Sequence, residues 1–187
     1  MQVFDEPISA SSEFLDILTE RNAIARAFWT GVYSGLYGMS GKVDRPDENC
    51  FGAWIPEHMQ QLSMFREHLH EGVFNIDMDE MAVSAYNAVD LFFLNERYCH
   101  FFQPYHDVSL YCQESMGCGV GSLIENAQKN AFNMITQVSS AAGLFKQQAW
   151  SEMDTDAKVY AVNSFSHSIA GLYADMIGFD ASKIVKA

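Results

Sequence analysis

Read for the spacing of its apolar positions, the chain falls into helices. Phe14, Ile17 or Leu18, Ile24, Phe28, Val32 and Leu36 recur at helical intervals, with Ser11 or Ser12 able to cap the start, and predict a long first helix over about residues 12–38. A second, over about 56–71, is bounded by Pro56 at its first position and Gly72 just past its end. Asp77 and Glu80 have capping-box spacing ahead of Met81, Ala85, Ala88, Val89, Phe92 and Phe93, which carry a third helix to about Phe102. Pro104 restarts the chain, and a shorter fourth helix through Val108, Leu110 and Tyr111 ends near Gly117. Ser122 and Glu125 repeat the capping spacing before Leu123, Ile124, Ala127, Ala131, Met134, Ile135 and Val138, a fifth helix reaching about Gln148. Asp154 or Thr155 caps the last helix, whose expected buried stripe is Val159, Val162, Phe165, Ile169, Leu172, Tyr173 and Met176, with Gly178 as its end.

No segment alternates apolar and polar residues between hairpin turns. The expected fold class is therefore all-α, an antiparallel bundle of about five to six helices with short connections. One domain spans 1–187, with 1–11 and 180–187 as flexible or docking termini. Its 187 residues can bury roughly 70% of the unfolded surface without needing staples. A composition of 49% hydrophobic and 19% charged residues excludes disorder and collagen-like repeats.

Charge narrows the partners. Eleven basic residues against 24 acidic ones give a formal charge of -13, so nucleic acid and anionic membrane surfaces are repelled. The richest apolar stretches are broken by Arg26, Asp90, Glu96 and Lys146, so no membrane insertion is expected.

Cys50, Cys99, Cys112 and Cys118 form an even set near expected helix ends and loops, which favours two disulfides over four buried thiols. Spacings of 49, 13 and 6 residues contain no CxxC pair, which disfavours zinc. A hairpin of the third and fourth helices about Gln103 and Pro104 brings Cys99 within reach of Cys112, leaving Cys50 for Cys118; four cysteines allow three connectivities. Paired cysteines lean toward an extracellular or oxidising lumenal location. Met1 to Pro7 has neither a basic nor an apolar leader region, which runs against that lean and leaves the compartment unassigned.

Candidate chemistry is sparse. Glu67 and His70 make one ExxH step, where helical di-iron sites need two such steps and two further carboxylates; Glu96 and His100 are four apart rather than three. Glu67 and His70 are therefore the only residues worth testing for a metal, with His58, Glu114 and Glu125 as recruits, and no cofactor is implied. Asn75 to Asp79 opens like a calcium loop, but its sixth position is Glu80 and its twelfth Tyr86 instead of the required Gly and Glu; the Glu152, Asp154, Asp156 cluster fails similarly. Gly117 to Ser122 could cradle an anion and lower the Cys118 thiol pKa, yet no strand precedes it and no Lys follows. No GxSxG elbow occurs, and His167 is expected in the core, bonded to a neighbouring hydroxyl. No catalytic residue is assigned.

The remaining feature is an apolar excess of 14 Phe, 8 Tyr, 3 Trp and 10 Met, residue types that serve interfaces and adaptable pockets as readily as cores. In the first helix, Gly31, Ser34, Gly35 and Gly38 make a small-residue face among aromatics, and Phe28, Trp29, Gly31, Tyr33, Gly35 and Tyr37 are the expected interaction residues. The leading expectation is a non-enzymatic structural or assembly subunit, a homo-oligomer or part of a larger protein assembly. The alternative is a helical carrier of an apolar small molecule or lipid. A metal-dependent helical-bundle enzyme is third.

Overall fold

The computed structural model describes residues 12–38, 44–52, 78–115, 118–144 and 149–183. Among these the protein is all-helical, with α1 Ser12–Tyr37, α2 Met78–Cys99, α3 Phe102–Ser115, α4 Val120–Lys129, α5 Ala131–Leu144 and α6 Thr155–Ile177. Short 3-10 turns at Trp150–Glu152 and Ala181–Lys183 flank α6. The expected helix over 56–71 and the capping residue Asp77 lie outside the described residues.

The last helix ends as its sequence dictates. The Asp154 side chain accepts a hydrogen bond from the Ala157 N–H at 2.8 Å, and Gly178 adopts the left-handed φ of 68° that lets Phe179 N–H reach back to the Ala174 carbonyl. The carbonyls left over at this end are met by side chains. Asn126 donates to Met176, Asn130 to Asp175, and the Tyr111 hydroxyl to Gly178. This arrangement also divides the expected fifth helix. Asn130 stands at the boundary between α4 and α5, where its side chain serves α6. The Ser122 capping box does not form: α4 begins at Val120 with Gly119 as an N-cap lacking a side-chain bond, and Glu125 pairs instead with Lys129 at 2.7 Å.

Helix α6 is the hub, with α1, α5 and α4 against it. Its register with α1 rises in step: Lys158 pairs with Glu20 at 2.6 Å, Asn163 donates to the Ala27 carbonyl at 3.0 Å, and Gly171 lies beside Gly35. Those two helices therefore run parallel, while α5 opposes α6, Asn130 and Gln137 meeting Asp175 and Gly171 in reverse order. Gly31 and Gly35 permit the close approach. A Cβ on Gly31 would overlap Ser166 Oγ and the Asn163 carbonyl; one on Gly35 would overlap the His167 carbonyl and lie 2.7 Å from Ala170 Cβ.

The buried face of α6 is thus Ala161, Ser166, Ser168, Ala170, Ala174 and Ile177, correcting the stripe of large residues expected there, of which Ile169 and Tyr173 are exposed. Small side chains win because they bring two backbones together. The core cluster is Tyr33, Leu36, Tyr37, Ala170 and Ala174, flanked by Trp29, Val108 and Phe179.

The disulfides join Cys50 to Cys99 and Cys112 to Cys118, with Cα atoms 4.7 and 5.2 Å apart, correcting the expected Cys99–Cys112 and Cys50–Cys118 pairs. The reason lies at the α2–α3 turn. Cys99 is itself the last residue of α2, and His100 turns the chain in the left-handed region at φ 52°. The Asp47 N–H bonds the Tyr98 carbonyl at 2.7 Å and the Phe51 N–H bonds Asn95 Oδ1 at 3.0 Å, so the 44–52 loop lays Cys50 on Cys99. Cys112, in the last turn of α3, meets Cys118 just beyond it.

Tyr37 donates to the buried Asp107 carboxylate at 2.9 Å, and Tyr33 donates to the His100 carbonyl at 2.7 Å. Burial pushes both phenols well above their ordinary value of 10.0, and the Asp107 hydrogen bond adds to the effect at Tyr37. The folded chain then keeps protons that the unfolded chain releases. This stability is complete below about pH 10 and declines as pH rises, by about 1.4 kcal/mol per pH unit for each phenol. Tyr37→Phe is expected to cost about 2 kcal/mol at neutral pH, because Asp107 loses its closest donor, and to halve the alkaline slope. Urea unfolding followed from pH 8 to 11 measures both quantities, and an unchanged slope would refute the assignment.

Candidate functional site

The structure draws most of the expected interaction residues inward. Gly31 and Gly35 face α6, Tyr33 and Tyr37 are in the core, and Trp29 is half-buried with its indole N–H on the Cys99 carbonyl at 2.6 Å. Phe28 alone of the six is exposed. The expected association face on α1 is thus an internal seam, because glycine spacing that admits another helix admits α6 first.

Large apolar surface appears elsewhere. On α2, Val83, Tyr86, Val89, Phe92 and Phe93 are exposed, the last three being among the residues whose spacing marks the helix. Phe92 meets Phe101 and, edge to face at 5.7 Å, Phe102, which with Tyr105 continues the apolar surface onto α3. Val120 and Ile124 of α4 and Phe132, Ile135 and Val138 of α5 are exposed as well. Periodicity marks these as apolar faces but does not say whether the surface opposite belongs to the same chain.

The other candidates resolve simply. Glu67, His70 and His58 lie outside the described residues. Glu114 is exposed on α3 and Glu125 is held by Lys129, whose ammonium lowers the Glu125 carboxyl pKa. Cys118 is spent in a disulfide, which removes its thiol chemistry. His167 does find a hydroxyl, sharing a hydrogen bond with Ser34 Oγ at 2.9 Å, but it is exposed rather than in the core. That pair sits within two helices whose backbone N–H groups are committed to helix bonds, so neither helix offers it a backbone oxyanion donor.

An open cleft of about 360 Å³ lies between the end of α1, α6 and the turn after it, lined by Tyr37, Gln137, Asp175, Phe179, Asp180 and Ser182. Its walls mix carboxylate and amide with aromatic surface. The Gln137 amide N–H bonds Asp175 at 3.3 Å, and its carbonyl is buried without a partner among the described residues.

No described helix is long and apolar enough to cross a membrane. No family model, curated protein or solved structure matches this chain.

Proposed function

We propose that this protein is a non-enzymatic association subunit, a small helical scaffold that offers large apolar faces to other protein chains. One observation carries the reading. Among the described residues, eleven apolar side chains are buried, four of them alanine and two disulfide-bonded cysteine, whereas eighteen large apolar side chains are exposed. Scattered exposed apolar residues are ordinary, but a run of them such as Val83, Tyr86, Val89, Phe92 and Phe93 on α2, continued by Phe102 and Tyr105, marks a contact surface. Helices that close on one another through glycine, serine and alanine leave their larger side chains for a different neighbour.

The two disulfides give a cross-linked frame that would present these faces with little ordering cost on binding, and they support an oxidising compartment. Sedimentation velocity across a wide concentration range, with recovery of partners on the tagged full chain, tests the reading. Concentration-dependent assembly or a stoichiometric protein partner is expected. A chain that stays monomeric at the highest attainable concentration and recovers no partner would overturn it.

A further inference from the structure

We propose that Cys112–Cys118 is a thiol-exchange site: a small thiol opens this bond in the folded protein, forming a mixed disulfide on Cys112, while Cys50–Cys99 stays closed. The inference stands apart from the association reading. It rests on access to the two bonds, on the helix ends that carry the sulfurs and on what the bond ties together.

Access separates the two disulfides. Exchange needs a thiolate in line with the S–S bond, so a sulfur without solvent contact is protected until the structure around it opens. Cys50 and Cys99 are both 0% exposed. The Asp47 and Phe51 N–H groups fasten the 44–52 loop to the Tyr98 carbonyl and to Asn95, and the Phe51 ring meets Phe101 with centroids 5.8 Å apart. Reaching that bond means lifting the loop off the end of α2. Cys112 and Cys118 are only half-buried, on the connection between α3 and α4.

The helix ends then choose the sulfur. Cys118 immediately precedes Gly119, the N-cap of α4, which offers no side chain to the N–H groups of the first turn; that turn also holds no acidic residue. The positive end of α4 therefore favours negative charge on Cys118 and makes it the better leaving group. Cys112 lies in the last turn of α3, at the negative end of that helix, where no basic residue offsets the dipole.

The exchange balances with two equivalents of thiol. A thiolate gives its electron pair to Cys112 Sγ; a new S–S bond forms there as the Cys112–Cys118 bond breaks, and the pair leaves on Cys118, which takes a proton from water. A second thiolate attacks the added sulfur and releases Cys112, so two small thiols are oxidised to their disulfide and the protein gains two electrons and two protons. Before that second step, Cys118 can return to Cys112 and expel the first thiol. Its place six residues away keeps it within reach, so opening is reversible.

The bond also has something to release. Tyr111, next to Cys112, donates its hydroxyl to the Gly178 carbonyl, and Asn126 of α4 donates to the Met176 carbonyl at 3.2 Å. The disulfide thus joins two helices that each close the same end of α6. Opening it uncouples α4 from α3 there, whereas the α1–α6 seam, built on Gly31 and Gly35, does not involve it.

The test uses the full, oxidised chain with graded reduced glutathione, quenched with iodoacetamide and read by peptide mass mapping. Cys112 and Cys118 are expected to open at least about tenfold faster than Cys50 and Cys99, and in urea the two bonds should react at similar rates. The first species should carry glutathione on Cys112 and alkyl on Cys118. Gly119→Asp, which caps α4 and sets a carboxylate beside Cys118, should slow opening by several fold, and more than the uncharged cap of Gly119→Asn. On the folded chain alkylated at Cys112 and Cys118, hydrogen exchange should quicken in Val120–Lys129 and hold in α1. Equal rates for the two bonds in the folded chain, prior opening of Cys50–Cys99, or no opening where the urea-unfolded chain reacts would each overturn the exchange site. Glutathione found first on Cys118, or equal rates for Gly119→Asp and Gly119→Asn, would overturn the assigned direction of attack. Unchanged hydrogen exchange in α4 would overturn the uncoupling.

Discussion

Gly35→Val is expected to lower stability by about 3 kcal/mol or more, at the upper end of what overpacking costs. A Cβ there overlaps the His167 carbonyl and lies 2.9 Å from the Gly171 backbone N, and neither atom can move without shifting the whole of α6. Losing the glycine from a helix ordinarily helps, by up to about 1 kcal/mol relative to alanine, so a net loss isolates the packing term. Gly143 in α5 supplies the control: a Cβ there meets nothing within 4 Å, and Gly143→Ala should gain about 0.5–1 kcal/mol. Urea midpoints for the two variants, read with unchanged slopes, should move in opposite directions. Equal small shifts would mean that α1 and α6 do not touch at Gly35.

The same seam shows how far the chain can be read without its structure. Helix ends were legible where a local group makes them, as at Asp154 and Gly178, because capping is decided within a few residues. The break at Asn130 was not, since that side chain is recruited by the Asp175 carbonyl 45 positions away in sequence. Apolar periodicity located the helices but inverted the core of α6, where Ser166, Ala170 and Ala174 repeat every four residues as the counterpart of Gly31 and Gly35. That counterpart was visible in the sequence as small-residue spacing on two helices, a signal as informative here as the large apolar stripe. The aromatic excess did not say which large apolar side chains would stay exposed, because Val89, Phe92 and Phe93 have the same spacing whether their neighbour is inside or outside the chain. Disulfide pairing turned on a left-handed His100 and on the 44–52 loop, neither of which spacing encodes.

Removing the Cys50–Cys99 bond by paired substitution with alanine is expected to cost about 4 kcal/mol, and removing Cys112–Cys118 about 2 kcal/mol. The difference follows from the loops they close, 49 residues against 6, in the chain-entropy estimate. Burial adds to it: Cys50 and Cys99 are fully enclosed, so their loss also leaves unfilled space, whereas the Cys112–Cys118 pair is half-exposed on the α3–α4 connection. The longer bond also positions the proposed contact face. It holds the end of α2 against the 44–52 loop, where Asn95 is buried and accepts the Phe51 N–H, and keeps the Cys99 and His100 carbonyls over Trp29 and Tyr33 of α1. The Cys50→Ala, Cys99→Ala variant should therefore lose assembly along with stability, while the Cys112→Ala, Cys118→Ala variant keeps assembly and loses only stability. Chemical unfolding and sedimentation on both variants separate these outcomes. Equal effects would mean that neither bond orients α2.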